Sequence, residues 1–158
     1  MPGAGKSTVG VLLAKTLGMK FTDTDLVIQE QAGKLLQEII DMDGPAAFLE
    51  EEERTILSLK FRNTVLATGG SVVLSGRAMA HLQQDGIIVY LKVSFAEMEL
   101  RLRNITTRGI VLLPGQTLRE MYDERSPLYE KYAVITVDSG EGCETVVGKI
   151  REALQDVS

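Results

Sequence analysis

Met1-Pro2-Gly3-Ala4-Gly5-Lys6-Ser7-Thr8 opens the chain, and the reading of this stretch decides the fold. Gly3 and Gly5 let successive backbone N–H groups turn inward around a phosphate without Cβ obstruction. After them Val9, Leu12, Leu13, Ala14 and Leu17 recur at helical spacing, and Gly18 supplies the stop. A glycine-rich loop feeding a helix N-terminus adds the helix's partial positive charge to those N–H groups, which suits an anion. Lys6 is then placed to reach β- and γ-phosphates and the Ser7 hydroxyl to ligate Mg²⁺, so Gly3, Ala4, Gly5, Lys6, Ser7 and Thr8 are the candidate nucleotide-binding residues. The bland alternative, a glycine-rich turn with an exposed lysine, does not explain the Gly-x-Gly-Lys-Ser-Thr order.

Working outward, Phe21-Thr22 reads as a short strand ending at Asp23-Thr24-Asp25. Residues 26–40 have a helical pattern broken at Gly33, and residues 48–59 form a second helix, acidic on one side. Thr64-Val65-Leu66-Ala67-Thr68, Gly86-Ile87-Ile88-Val89-Tyr90-Leu91 and Val134-Ile135-Thr136-Val137 read as buried strands, with helices in the gaps and a final helix over residues 143–154. Strands alternating with helices imply a parallel sheet covered on both faces. The expected fold is α/β: a P-loop NTPase three-layer α/β/α sandwich in one domain, residues 1–158. The loop's usual first glycine has its place one residue before Met1, and the strand that feeds such a loop has no counterpart. The expectation is therefore a central sheet lacking its first strand and a natural start upstream. Residues 104–117 carry Gly109, Pro114 and Gly115 without a clean period, which inside a compact domain points to a lid.

Composition sets outer limits. A chain of 158 residues with 44% hydrophobic and 25% charged residues is ordinary for a globular domain. Its net charge of −5 disfavours nucleic acid or an anionic membrane as main partner, since both call for a basic face. Cys143 is the single cysteine, so no internal disulfide forms, and a reducing cytoplasmic setting is the expectation. Cys143 itself is read as inert. No run approaches the roughly 18 apolar residues of a membrane span.

The motifs that follow the phosphate loop narrow its very large superfamily. Asp23-Thr24-Asp25, Gly44-Pro45-Ala46-Ala47-Phe48, Thr68-Gly69-Gly70, Arg108 in the lid and Arg125-Ser126-Pro127-Leu128-Tyr129 stand in one order. Over nearly its whole length the chain resembles a shikimate kinase. That resemblance implies ATP-dependent phosphoryl transfer to a hydroxyl of a small carboxylate metabolite, with shikimate 3-phosphate as product, in aromatic amino-acid biosynthesis. It implies ATP and Mg²⁺ as cofactors, and a monomer acting on small molecules. Residue by residue, it implies that Asp25 orients or deprotonates the acceptor hydroxyl and that Asp23 holds Mg²⁺ with Ser7. Gly69 and Gly70 would present backbone N–H groups to the acceptor and Arg125 would pair with its carboxylate. Arg101 would stack on adenine, and Arg108 would join Lys6 on the transferring phosphoryl. The chemistry agrees, since phosphoryl transfer asks a protein for positioning and positive charge. Simpler readings stand beside these: Asp23 and Asp25 as a solvated turn, Arg125 as a surface residue, Arg103 as solvated, and His81 as packing.

The chain also departs from the family pattern on the acceptor side. Leu49 stands where the family places an arginine, Ser71 where it places a third glycine, and Arg108-Gly109 where it has Arg-Pro, while Glu52 keeps the family's glutamate. An arginine lost from a carboxylate contact costs on the order of 1.5–3 kcal/mol. Two alternatives follow: a related kinase for another acceptor such as homoserine, or a module that binds ATP without turnover. Arg54 is a conceivable substitute, though five residues along a helix sets it on a different face from Leu49.

Overall fold

The computed structural model of the chain describes residues 1–104 and 109–157. Gly3 and Gly5 take positive φ of 72° and 82°, the turn that a residue with a Cβ resists, and α1 (Lys6–Leu17) starts directly on the loop. Gly18 ends α1 in the left-handed conformation and returns its N–H to the carbonyls of Ala14 and Lys15. β1 (Lys20–Asp23) follows, then α2 (Thr24–Ala32), stopped by Gly33 at φ 65°. Both glycine stops were legible in the sequence.

α3 (Leu36–Ser58) is two helical segments meeting at a kink, Gly44 (φ 85°, ψ 163°), followed by Pro45. The expected break at Gly33 separates α2 from the first segment, and the helix expected over 48–59 lies in the second. Proline lacks the N–H and has its φ preset for a helix start, so it opens the second half where Gly44 closes the first. The remaining elements are β2 (Thr64–Ala67), a short 3₁₀ turn over Val72–Leu74, α4 (Gly76–Asp85) and β3 (Val89–Lys92). They are followed by α5 (Phe95–Arg103), α6 (Leu118–Tyr132), β4 (Ile135–Asp138) and α7 (Cys143–Val157).

All pairing is parallel, as expected, but it forms two separate pairs. β1 lies on β2 with Phe21 opposite Val65 and Asp23 opposite Ala67. β3 lies on β4 with Leu91 opposite Val137. Among the described residues no strand joins β2 to β3. The two pairs are held through a common core: Val65 and Val89 pack against a cluster containing Met1, Val9, Leu13, Leu91, Met98 and Val137. A second cluster joins Ile28 of α2 to Ile39 and Phe48 of α3 and to Val111, so part of the expected lid packs down on the helices. Ile105, Thr106, Thr107 and Arg108 lie outside the described residues. Among the described residues no helix is long and apolar enough to cross a membrane.

α1 sits against β1 and β2 at close range because Gly10 faces the Phe21 ring. A Cβ on Gly10 falls 2.7 Å from Phe21 Cε2, inside van der Waals contact. Gly10→Ala is therefore expected to destabilise the fold by about 1–3 kcal/mol. Phe21→Leu in the same chain should make the loss less than additive. Urea unfolding of the two single variants and the double variant checks this.

Candidate active site

The Asp-x-Asp at the end of β1 divides its work locally. Asp23 caps α2, with Oδ1 accepting from the Asp25 N–H at 3.0 Å, while its Oδ2 accepts from the Ser7 hydroxyl at 2.6 Å. The two residues expected to hold Mg²⁺ therefore meet, one from the phosphate loop's helix and one from β1. Their hydroxyl and carboxylate fit a hard cation that takes its remaining oxygens from phosphate and water. Among the described residues no group of three His, Cys, Asp or Glu side chains gathers for a metal. Lys6 Nζ folds over the loop and donates to the Met1 carbonyl at 2.7 Å.

A cavity of about 230 Å³ opens beside the loop, lined by Pro2, Gly5, Lys6, Ser7, Thr8, Asp25, Gly69, Gly70, Gly109, Val111 and Arg125, among others. Gly3 and Ala4 do not line it, and neither does Arg101. Arg101 lies on the outer side of the loop, where it donates to the carbonyls of Gly3 and Ser139, both at 3.0 Å. It thus ties the phosphate loop to the segment after β4. Arg125 is 2% exposed, not a surface residue. Its Nη2 donates to the Val111 carbonyl, and its buried Nε has no hydrogen-bond partner among the described residues. One turn on, the Tyr129 hydroxyl donates to the Gly70 carbonyl, and burial pushes its pKa above the ordinary tyrosine range. α6 thereby presents Arg125 to the cavity while Tyr129 fixes α6 to the Gly69–Gly70 backbone.

The resemblance matched Glu52 to a family glutamate without giving it a role. Glu52 is one of four consecutive glutamates, yet it is 2% exposed. The signal was available, because Phe48 (1%), Glu52 and Ile56 (0%) recur at i, i+4 on the buried face of α3. The Ser71 hydroxyl donates to Glu52 Oε1 at 2.7 Å, and Oε2 has no hydrogen-bond partner among the described residues. Burial, reinforced by the Asp25 charge, raises the Glu52 carboxyl to about 7, against the pull of Ser71, Arg125 and Lys6. Leu49 is half-buried against the α2–α3 cluster and lines a second cavity of about 440 Å³ behind the first. Arg54 lines that second cavity too, and its side chain is 72% exposed and paired with Glu51 at 2.9 Å. It does not enter the first cavity, so it is no substitute for a cation at 49. His81 Nε2 lies 3.2 Å from the Leu59 carbonyl, a packing role, and Arg103 is exposed beside Glu99. Cys143 is a free cysteine at the start of α7.

Comparison with known proteins places this geometry. A family model described as shikimate kinase matches residues 2–155. A shikimate kinase of Paracidovorax citrulli is 39% identical, the alignment covering 98% of this chain and 88% of that protein. One from Actinobacillus succinogenes is 43% identical over 88% of this chain and 82% of its own. Among solved structures, the shikimate kinase of Acinetobacter baumannii in complex with shikimate superposes with a TM-score of 0.90 at 31% identity. That match covers 99% of this chain and 90% of the other.

The Glu52 carboxyl gives a stability prediction whose sign is fixed. Its folded pKa is about 7 against an ordinary 4.5, so between those values the folded state keeps a proton that the unfolded chain has lost. Stability contributed by this group is full below about pH 4.5 and declines as pH rises through 7, by up to about 3 kcal/mol. Glu52→Gln cannot titrate. Urea unfolding at pH 5 and pH 7.5 should show a smaller decline in the variant than in the parent protein.

Proposed function

The chain belongs to the shikimate kinase family, and from that premise we propose that its cavity transfers the γ-phosphoryl group of ATP to a hydroxyl of shikimate. The observation that carries the reading is Arg125, a guanidinium buried in the wall of the cavity that Lys6 and Asp25 also line, with an Nε that has no hydrogen-bond partner among the described residues. A buried cation with spare donors is stabilised by a carboxylate that pairs with it, and a guanidinium fork matches a carboxylate in two-point geometry. Neither another acceptor such as homoserine nor a non-catalytic ATP-binding module is favoured by the comparisons.

The residues divide the reaction as follows. The loop N–H groups from Gly3 to Thr8 and the Lys6 ammonium hold the β- and γ-phosphates, and Arg101 serves the adenine side. Ser7 directly and Asp23 through water would hold Mg²⁺, which would supply charge neutralisation on those phosphates. Arg125 takes the acceptor carboxylate, and the Gly69 and Gly70 backbone approaches the acceptor ring. Asp25 accepts the hydrogen bond of the reacting hydroxyl, whose oxygen bonds to the γ-phosphorus as the bond to the β–γ bridging oxygen breaks. The proton departs toward the Asp25 carboxylate and the electron pair leaves with ADP. Residues 104–117 act as the lid that keeps water from competing as acceptor, and Arg108 within it adds positive charge to the phosphoryl in transfer. We read the enzyme as a cytoplasmic monomer whose partners are small molecules, not nucleic acid.

Two variants test the assignment by coupled ADP release. Asp25→Asn should lower kcat by about 10²–10⁴ while leaving the KM for ATP near its parent value. Arg125→Lys should raise the KM for shikimate by about ten- to a hundred-fold, again sparing ATP. An Arg125→Lys protein with an unchanged shikimate KM would remove Arg125 from the acceptor site.

A further inference from the structure

Positions 49 and 52 are one turn apart on α3, where side chains at i and i+3 meet, so the arginine of the family pattern at 49 lies within reach of the glutamate at 52. In this chain Leu49 offers no donor, yet Glu52 remains buried at 2% exposure. A carboxyl taken out of water without a donor is strongly disfavoured. The donor that reaches it comes from the other departure: Ser71, itself buried, donates to Glu52 Oε1 at 2.7 Å. A glycine at 71 has no side-chain donor to give. We propose that Ser71 and Leu49 are compensating departures, with the Ser71 hydroxyl acting in place of a cation at 49 as the clamp that holds Glu52 beside Asp25. Ser71 is on this reading a positioning residue for the acceptor pocket, and the inference rests on the cavity being that pocket.

The geometry shows what the clamp prevents. Glu52 and Ser71 line both the acceptor-side cavity and the 440 Å³ cavity behind it, so their hydrogen bond forms part of the wall between the two. Glu52 Oε2 and Asp25 Oδ1 converge on Gly69, where a Cβ would meet them at 2.6 and 2.9 Å. Lys6 from α1, Asp25 from α2, and Arg125 and Tyr129 from α6 act electrostatically on the Glu52 carboxyl or are acted on by it. Released from Ser71, the carboxyl stays buried beside Asp25 without its hydrogen-bond donor, and the wall that the Glu52–Ser71 pair forms along the acceptor side loosens.

The test uses Ser71→Gly, Ser71→Thr, Leu49→Arg and the Leu49→Arg/Ser71→Gly double variant in the full chain. Two readouts are taken: shikimate kinetics, and the pH titration of the Glu52 carboxyl by ¹³C NMR in the free protein. Ser71→Gly is expected to raise the shikimate KM about tenfold with kcat within about threefold, and to move the Glu52 titration upward. Ser71→Thr, which keeps the hydroxyl, should retain the parent titration. In the double variant the new cation takes over the clamp, so its shikimate KM should lie within about threefold of that of Leu49→Arg alone, instead of about tenfold above it. Singles whose effects simply multiply in the double, or a Glu52 titration unmoved by Ser71→Gly, would overturn the proposal. If the parent protein shows no turnover on shikimate, the functional reading fails on its own. The titration still decides the clamp: an upward shift in Ser71→Gly reversed by Leu49→Arg upholds it, and no shift overturns it. If Ser71→Gly does not fold, Ser71→Ala against Ser71→Thr gives the same comparison.

Discussion

At Gly69 and Gly70 there is no room for a side chain, and the arrangement of the site depends on that. A Cβ on Gly69 would stand 2.6 Å from Glu52 Oε2 and 2.9 Å from Asp25 Oδ1. One on Gly70 would stand 2.9 Å from Pro2 Cδ and 3.2 Å from the Tyr129 hydroxyl. The phosphate loop, α2, α3 and α6 thus all touch one short run of backbone leaving β2. The loop brings Lys6 and Ser7, α2 brings Asp25, α3 brings Glu52 and α6 brings Arg125. Two adjacent glycines allow this because backbone alone is thin enough to be shared by four neighbours.

The consequence is a small buried volume with charges of both signs. Lys6 and Arg125 face Asp25 and Glu52 across a cavity of about 230 Å³. Interactions at such a site are screened far less than on the surface, so substrate charges complementary to this set are recognised strongly. A phosphate at the Lys6 end and a carboxylate at the Arg125 end satisfy both cations. The hydroxyl between them falls to Asp25. Val111, at 2% exposure, lines the cavity and accepts a hydrogen bond from Arg125, so this part of the wall and the Arg125 guanidinium are mechanically joined.

Much of this was readable from residue order. Glycines at 3, 5, 18 and 33 require the conformations they were expected to take, and the four strands appear within a few residues of their apolar runs. What was not readable depends on tertiary contact. The two segments of α3 are held across the Gly44-Pro45 kink by packing against Ile28 and Val111, and a local pattern does not encode that. Glu52 matched the family's glutamate, but its burial was not drawn from the sequence, although its i, i+4 relation to Phe48 and Ile56 marks it as buried. Arg101 was expected on the nucleotide's adenine side, and nothing in its spacing indicates that it also braces the phosphate loop through the Gly3 carbonyl. The two separate strand pairs agree with the expectation of a central sheet lacking its first strand.

The most direct measurement is Mg-ATP turnover by the purified protein on shikimate, on shikimate methyl ester and on homoserine, followed by ADP release. With Arg125 holding the carboxylate and Asp25 the hydroxyl, shikimate turns over, and its kcat/KM exceeds that of the ester by about tenfold or more. Equal turnover on the ester, or ADP release indifferent to shikimate, would contradict the assignment of this cavity.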